Sequence, residues 1–193
     1  MAADAAESPA RVAPADYLAT ERRALEQRSE LWEGEAFAMV GASWAHNVVG
    51  ANLVTALNNG LRGTPCRAVG SDLKVHVPRK QGFVYPDVVV VCEPRFHDEH
   101  HDVVENPVLV AEVLSPSTER FDRGEKFDGY RSIPSVEQIL LVSQSTPRVE
   151  HYVRLDDESW RLRVVEGEGS VDLSPLDVRL PLALLYEGSE PER

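Results

Sequence analysis

The sequence is short of several things, and each shortage removes a class of protein. Two cysteines, Cys66 and Cys92, occur in 193 residues. They have neither the spacing of a zinc-ligand pair nor the numbers of a disulfide framework, so reduced thiols in a cytoplasmic protein are expected. No apolar run approaches the roughly 20 residues that a bilayer span requires. The stretch from Met1 to Ala15 is rich in alanine and proline with early acids, and lacks the basic start and apolar stretch of a secretory leader. Positive charge is also scarce. There are 20 Lys and Arg against 32 Asp and Glu, a net charge of -12, which is an unfavourable balance for gripping polyphosphate over a whole surface.

The basic charge that exists is concentrated. Between Gly60 and Gly82 five bases (Arg62, Arg67, Lys74, Arg79, Lys80) face one acid, Asp72, whereas the segment from Glu150 onward carries eleven acids and five bases. Arg79 and Lys80, in the polar turn from Pro78 to Gly82, are the candidate phosphate contacts. The 42% hydrophobic content supports a core, and the length suits a single domain. The expected organisation is a disordered tail over 1–14, one domain over 15–186 and a frayed end over 187–193.

Two valine-rich runs organise the chain: Val84-Tyr85-Pro86-Asp87-Val88-Val89-Val90-Val91 and Pro107-Val108-Leu109-Val110-Ala111-Glu112-Val113-Leu114. Short apolar runs of this kind read as strands buried on both faces. Around them, a helix is expected over 16–27 with Asp16 as its cap, a hairpin over 31–40 turning at Gly34, and a helix over 43–61 with His46 in its first turn. Short strands follow at 65–69 and 72–77. The segment 93–106, with His97-Asp98-Glu99-His100-His101-Asp102, reads as a solvated loop without a rigid element to arrange metal ligands. A helix over 119–130 would put Asp122, Lys126 and Tyr130 on one face by their spacing of four. A buried strand over 137–143, an antiparallel meander through 148–154 and 159–165 with Asp156-Asp157 in its turn, a short strand at 171–173 and a closing segment over 176–186 complete the chain.

Each central run carries one carboxylate, Asp87 and Glu112, and ionised acids among apolar neighbours need compensation. The joint explanation is a divalent metal held by both, with the Val113 backbone carbonyl as a third ligand where the strand ends. Lys126, on the following helix, would orient a metal-bound water for attack on phosphorus. This is the chemistry of phosphodiester hydrolysis.

The segments Tyr85-Pro86-Asp87-Val88, Asn106 to Thr118, Asp122-Arg123-Gly124-Glu125-Lys126-Phe127 and Tyr130-Arg131 closely resemble the Uma-type restriction endonucleases of the PD-(D/E)XK nuclease superfamily. The resemblance extends over Glu30 to Glu35, Met39 to Ser43 with His46-Asn47, and Ser71-Asp72. It implies an α/β (α+β) restriction-endonuclease-like fold: a mixed central β-sheet flanked by helices, with a C-terminal antiparallel meander. It implies a DNA endonuclease dependent on Mg²⁺ or Mn²⁺, with Asp87 and Glu112 on the metal, and a homodimer acting on DNA. The superfamily's usual lysine stands two residues after the glutamate. Leu114 occupies that position here, and Lys126 reads as its migrated replacement. Glu30, His46, Asp72 and Tyr130 match recurrent family positions and are candidate supporting residues. Two other functions would use the same residues: a binding or scaffold protein on a catalytically silent nuclease fold, and a metal-dependent hydrolase of small phosphoesters.

Overall fold

Proline at the first helical position, where no backbone N–H is needed, opens α1 (Pro14–Glu21) in the computed structural model, which describes residues 11–155 and 159–190. Ala13 precedes it without a side-chain cap, and the helix ends six residues earlier than the periodicity predicts. A hairpin follows, β1 (Ser29–Trp32) and β2 (Glu35–Ala38). Its turn residues Glu33 and Gly34 both have positive φ, the twist that a two-residue hairpin requires. α2 (Trp44–Gly60) is capped by Ser43, whose hydroxyl accepts from the His46 N–H at 3.2 Å.

Next come β3 (Cys66–Gly70), β4 (Lys74–Val77), β5 (Gly82–Val84), β6 (Val88–Cys92), β7 (Val103–Val104) and β8 (Pro107–Leu114). α3 (Glu119–Phe121), a π-helical turn (Asp122–Lys126) and α4 (Phe127–Arg131) form one continuous helical stretch. The remaining elements are β9 (Gln138–Ser143), β10 (Arg148–Arg154), β11 (Trp160–Glu166), β12 (Ser170–Leu173), β13 (Val178–Pro181) and α5 (Leu182–Leu185).

Two main sheets result. One runs β2-β1-β5-β4-β7 and the other β11-β10-β9-β8-β6-β3, with β12 and β13 as a separate hairpin. The six-stranded sheet is mixed: β6 and β8 are antiparallel, β8 and β9 parallel, and β9-β10-β11 form the antiparallel meander. Alternation along its strands fills two cores. Val88, Val90, Leu109, Ala111 and Val113 pack with Val49, Leu53 and Leu57 of α2. Val89, Val91, Val110, Leu114 and Ile139 pack with Trp32, Val75, Val77 and Val84 of the other sheet. Burial on both faces is why these strands read as unbroken valine runs.

Three expectations need correction. The first run is two strands: β5 and β6 lie in different sheets, separated by Tyr85-Pro86-Asp87. Pro86 has no N–H to continue a ladder, so the chain leaves one sheet there and enters the other. The 93–106 segment is framed by backbone pairing, with β7 parallel to β4 and Phe96 bridged to Val104. Cys66 and Cys92 stand opposite each other in the antiparallel β3–β6 register, Cα atoms 3.9 Å apart, and are joined as a disulfide. Strand pairing closes the 26-residue separation that left them unrelated in sequence.

At the chain ends, Val12 N–H bonds the Gly34 carbonyl at 2.7 Å, so residues expected in the tail are tied to the hairpin. Glu187 and Gly188 carbonyls accept from Asn52 and Trp44 on α2. Asp156, Asp157 and residues 1–10 and 191–193 lie outside the described residues.

Candidate active site

The break at Pro86 places a carboxylate at the seam of the two sheets. The antiparallel register pairs Val88 with Ala111, and one step beyond it Asp87 stands opposite Glu112. Asp87 N–H lies 3.4 Å from Glu112 Oε2, while Asp87 Oδ2 accepts from Val113 N–H at 2.7 Å. Alternation on β8 turns Glu112 toward the five-stranded sheet, the face it shares with Val110 and Leu114.

Around Glu112 the chain gathers groups from three other elements. Lys126 Nζ lies 3.4 Å from Glu112 Oε1, 2.9 Å from Glu30 Oε1 on β1 and 3.7 Å from Asp122 Oδ1. The Tyr130 hydroxyl donates to Glu112 Oε1, and Tyr85 N–H donates to Glu30 Oε1 at 2.7 Å. Glu30, Glu112, Asp122, Lys126 and Tyr130 are all buried. The π-helical turn widens the backbone between Asp122 and Lys126, and such turns recur at functional sites.

Burial raises the Glu112 carboxyl well above its ordinary range; Lys126 opposes this, while Asp122, Asp87 and Glu30 add to it. Asp122 is raised for the same leading reason, burial, against the pull of Lys126. The Lys126 ammonium is held in its charged form: burial disfavours it, but Glu112, Glu30 and Asp122 together prevail. Glu112, Glu30 and Asp122 thus converge on one lysine, with Asp87 beside Glu112.

His46 comes from α2, on the other side of the seam. Its Nε2 lies 3.2 Å from Asp87 Oδ2. Burial lowers its proton affinity, yet the Asp87 hydrogen bond and charge, Asp122 and the Val113 carbonyl raise it above the ordinary value. The imidazole thus engages the Asp87 carboxylate and the Val113 carbonyl, two oxygen groups expected at a metal. His46 and Asp87 also line an open cleft of about 210 Å³ with Asn47, Gly50, Gly70 and Ser71.

Of the residues singled out from sequence, Asp87, Glu112, Val113, Lys126, Glu30, His46 and Tyr130 meet at the seam. Asp72 does not: its side chain is 85% exposed and paired with Arg28. Arg79 and Lys80 line a separate groove of about 880 Å³ with Arg131, Arg154 and Trp160. The basic strip over 60–82 does not form one surface, because Lys74 is buried and bonds Asp102 at 2.9 Å. Asp122 had no assigned role, although its spacing of four from Lys126 was the available signal.

A mixed sheet that brings acids and a lysine to the end of a central strand pair is a nuclease-like architecture. A crystal structure described as "a putative nuclease belonging to DUF820" from Anabaena variabilis ATCC 29413 superposes with a TM-score of 0.72 at 15% identity, covering 93% of this chain and 99% of that one. The chain belongs to the Uma2 family, described as "Putative restriction endonuclease", whose profile matches residues 14–183. Two relatives come from Synechocystis sp. (strain ATCC 27184 / PCC 6803 / Kazusa). Uncharacterized protein slr1290 is 34% identical over 92% of this chain and 93% of its own length. Uncharacterized protein sll1609 is 38% identical over 81% and 88%.

Proposed function

We propose that this chain is a metal-dependent DNA endonuclease whose ion, Mg²⁺ or Mn²⁺, is held by Asp87 and Glu112 with the Val113 carbonyl. The observation that carries the reading is the excess of buried carboxylate at the seam, beside an open cleft. The hydrogen bonds of Asp87 fall on Oδ2, which leaves Oδ1 for a ligand. When bound, the ion would lower the pKa of a coordinated water and offset charge on the phosphate.

The chain's own residues do the rest. Lys126 keeps Glu112, Glu30 and Asp122 together despite their repulsion. Its contacts to Glu112 and Asp122 are longer than that to Glu30, and a shift of the ammonium off these acids would let it orient the attacking water. Tyr130 fixes the Glu112 carboxylate from behind. Glu30 anchors the lysine and is itself anchored by the Tyr85 N–H. His46 holds Asp87 and would release it as the metal enters. The groove that Arg79, Lys80 and Arg131 line, beside the Trp160 ring, supports contact with nucleic-acid phosphates despite the acidic total charge. A homodimer fits a two-strand cut, and the exposed Leu162 and Val164 on the β11 edge offer it a surface.

The test is nicking of supercoiled plasmid in Mg²⁺ by the wild type, Asp87→Asn, Glu112→Gln and Lys126→Ala. Cleavage by the wild type and its loss in the three variants supports the proposal. Cleavage of a model phosphodiester with plasmid untouched would instead assign the 210 Å³ cleft to a small phosphoester. Inactivity on both, with DNA retained on the groove, would assign a binding role.

A further inference from the structure

The segment between β6 and β8 is held like a structural element. His97 N–H bonds the Val103 carbonyl at 3.0 Å and Glu105 N–H bonds the Arg95 carbonyl at 2.9 Å. Arg22, at the end of α1, grips Asp98 at 2.7 Å and Asp102 at 2.7 Å. Lys74 of β4 takes Asp102 from the other side. This frame brings His97 and Glu105 against His76 of β4.

The three side chains converge. His97 Nδ1 lies 3.0 Å from Glu105 Oε1, and His76 Nδ1 lies 3.6 Å from the same oxygen. One ligand atom from each of the three falls within 4.8 Å of the others. The His76 and His97 rings are 4.8 Å apart at 61°, and Phe83 stacks on His76 at 4.9 Å, fixing its ring. His76 Nδ1 is buried and has no hydrogen-bond partner among the described residues. Buried polar atoms are almost always satisfied, so this nitrogen, aimed at a carboxylate and a second imidazole, calls for a ligand.

We propose that His76, His97 and Glu105 form a binding site for a divalent transition metal, with Zn²⁺ the ion its donors suit best. Two imidazole nitrogens and one carboxylate oxygen are a zinc donor set, with water completing four-coordination. In a tetrahedron with bonds of ~2.0–2.1 Å the donors stand ~3.3 Å apart. The two measured separations to Glu105 bracket that value, and rotation of the exposed His97 closes the third. Mg²⁺ prefers all-oxygen sites, so this cluster and the acids at the seam select different ions. Bound metal staples the 93–106 segment to β4 of the five-stranded sheet, just before the chain enters β8.

The site shares no residue with the acid cluster, so its test is independent of nuclease activity. Chelator-treated wild type, His97→Ala, Glu105→Gln and Asp87→Asn are titrated with Zn²⁺ by calorimetry, and with Co²⁺ by visible absorption. His97 and Glu105 are exposed, so both variants retain the fold. The expected result is one equivalent bound by the wild type and by Asp87→Asn, with a tetrahedral Co²⁺ spectrum. In His97→Ala and Glu105→Gln that equivalent should weaken by about 100-fold or more. Absence of Zn²⁺ binding by the wild type, or binding that survives either substitution, overturns the proposal.

Discussion

The Tyr130 hydroxyl donates to Glu112 Oε1, the same carboxylate oxygen that lies 3.4 Å from Lys126 Nζ. Both partners are buried, and burial beside Glu112 keeps the phenol protonated as a donor. Tyr130→Phe removes the donor and leaves a desolvated acceptor. It should cost about 1–3 kcal/mol in urea denaturation and slow plasmid nicking. An unchanged midpoint would mean that the hydroxyl contributes nothing to holding Glu112.

Two glycines on the same helical stretch predict opposite outcomes. A Cβ on Gly129 would stand 2.3 Å from Trp32 Cη2, inside the core between the sheets, whereas a Cβ on Gly124 meets nothing within 4 Å. Gly129→Ala should destabilise by about 1–3 kcal/mol through overpacking. Gly124→Ala should be neutral or stabilise by up to about 1 kcal/mol through helix propensity. In thermal melts Gly129→Ala should shift downward and Gly124→Ala should stay level or shift upward; a downward shift for both would refute the second.

His151 supplies a pH dependence. Burial, with the charges of Arg161 and Arg163, pushes its imidazole down to about 4, and its Nε2 is 2.8 Å from Gln138 Oε1. The ring is neutral in the fold but takes a proton in the unfolded chain below about 6.5. The unfolded state therefore binds more protons between these values, and stability falls as pH drops from about 6.5 to about 4. His151→Gln should flatten that part of the profile by about 2–3 kcal/mol. Parallel profiles for the two proteins would rule this out.

Reduction of the Cys66–Cys92 bond should lower stability, because the cross-link closes a 26-residue loop in the unfolded chain. The chain-entropy relation puts the loss at about 3.5 kcal/mol, read as a lower melting temperature with dithiothreitol. Cys66→Ser should melt like the reduced protein and be insensitive to reductant.

Local signals made much of this legible. The valine runs, the Gly34 hairpin and the helix from Ser43 follow from periodicity and glycine conformation, and the meander strands from alternation. The acids Asp87 and Glu112 stood out because charge is costly beside valine. What escaped depends on distant pairing. The run Val84 to Val91 reads as one strand because the residues on both sides of Pro86 are equally apolar; only the partners of β5 and β6 separate them into two sheets. The disulfide exists through the β3–β6 register. The 93–106 segment is ordered by Arg22, far earlier in the chain, and this turned an expected solvated loop into a framed one. The helix expected over 119–130 forms, but its turn at Asp122–Lys126 is π-helical. Asp72 matched a family position, yet Arg28 claims it at the surface.

Glu30 stands on one sheet and Glu112 on the other, and a single ammonium spans them. Their spacing is therefore a gauge of how the two layers are seated. Any substitution that shears one layer against the other, however remote, would register first as a changed carboxylate separation, and so alter ion affinity before it unfolds the protein.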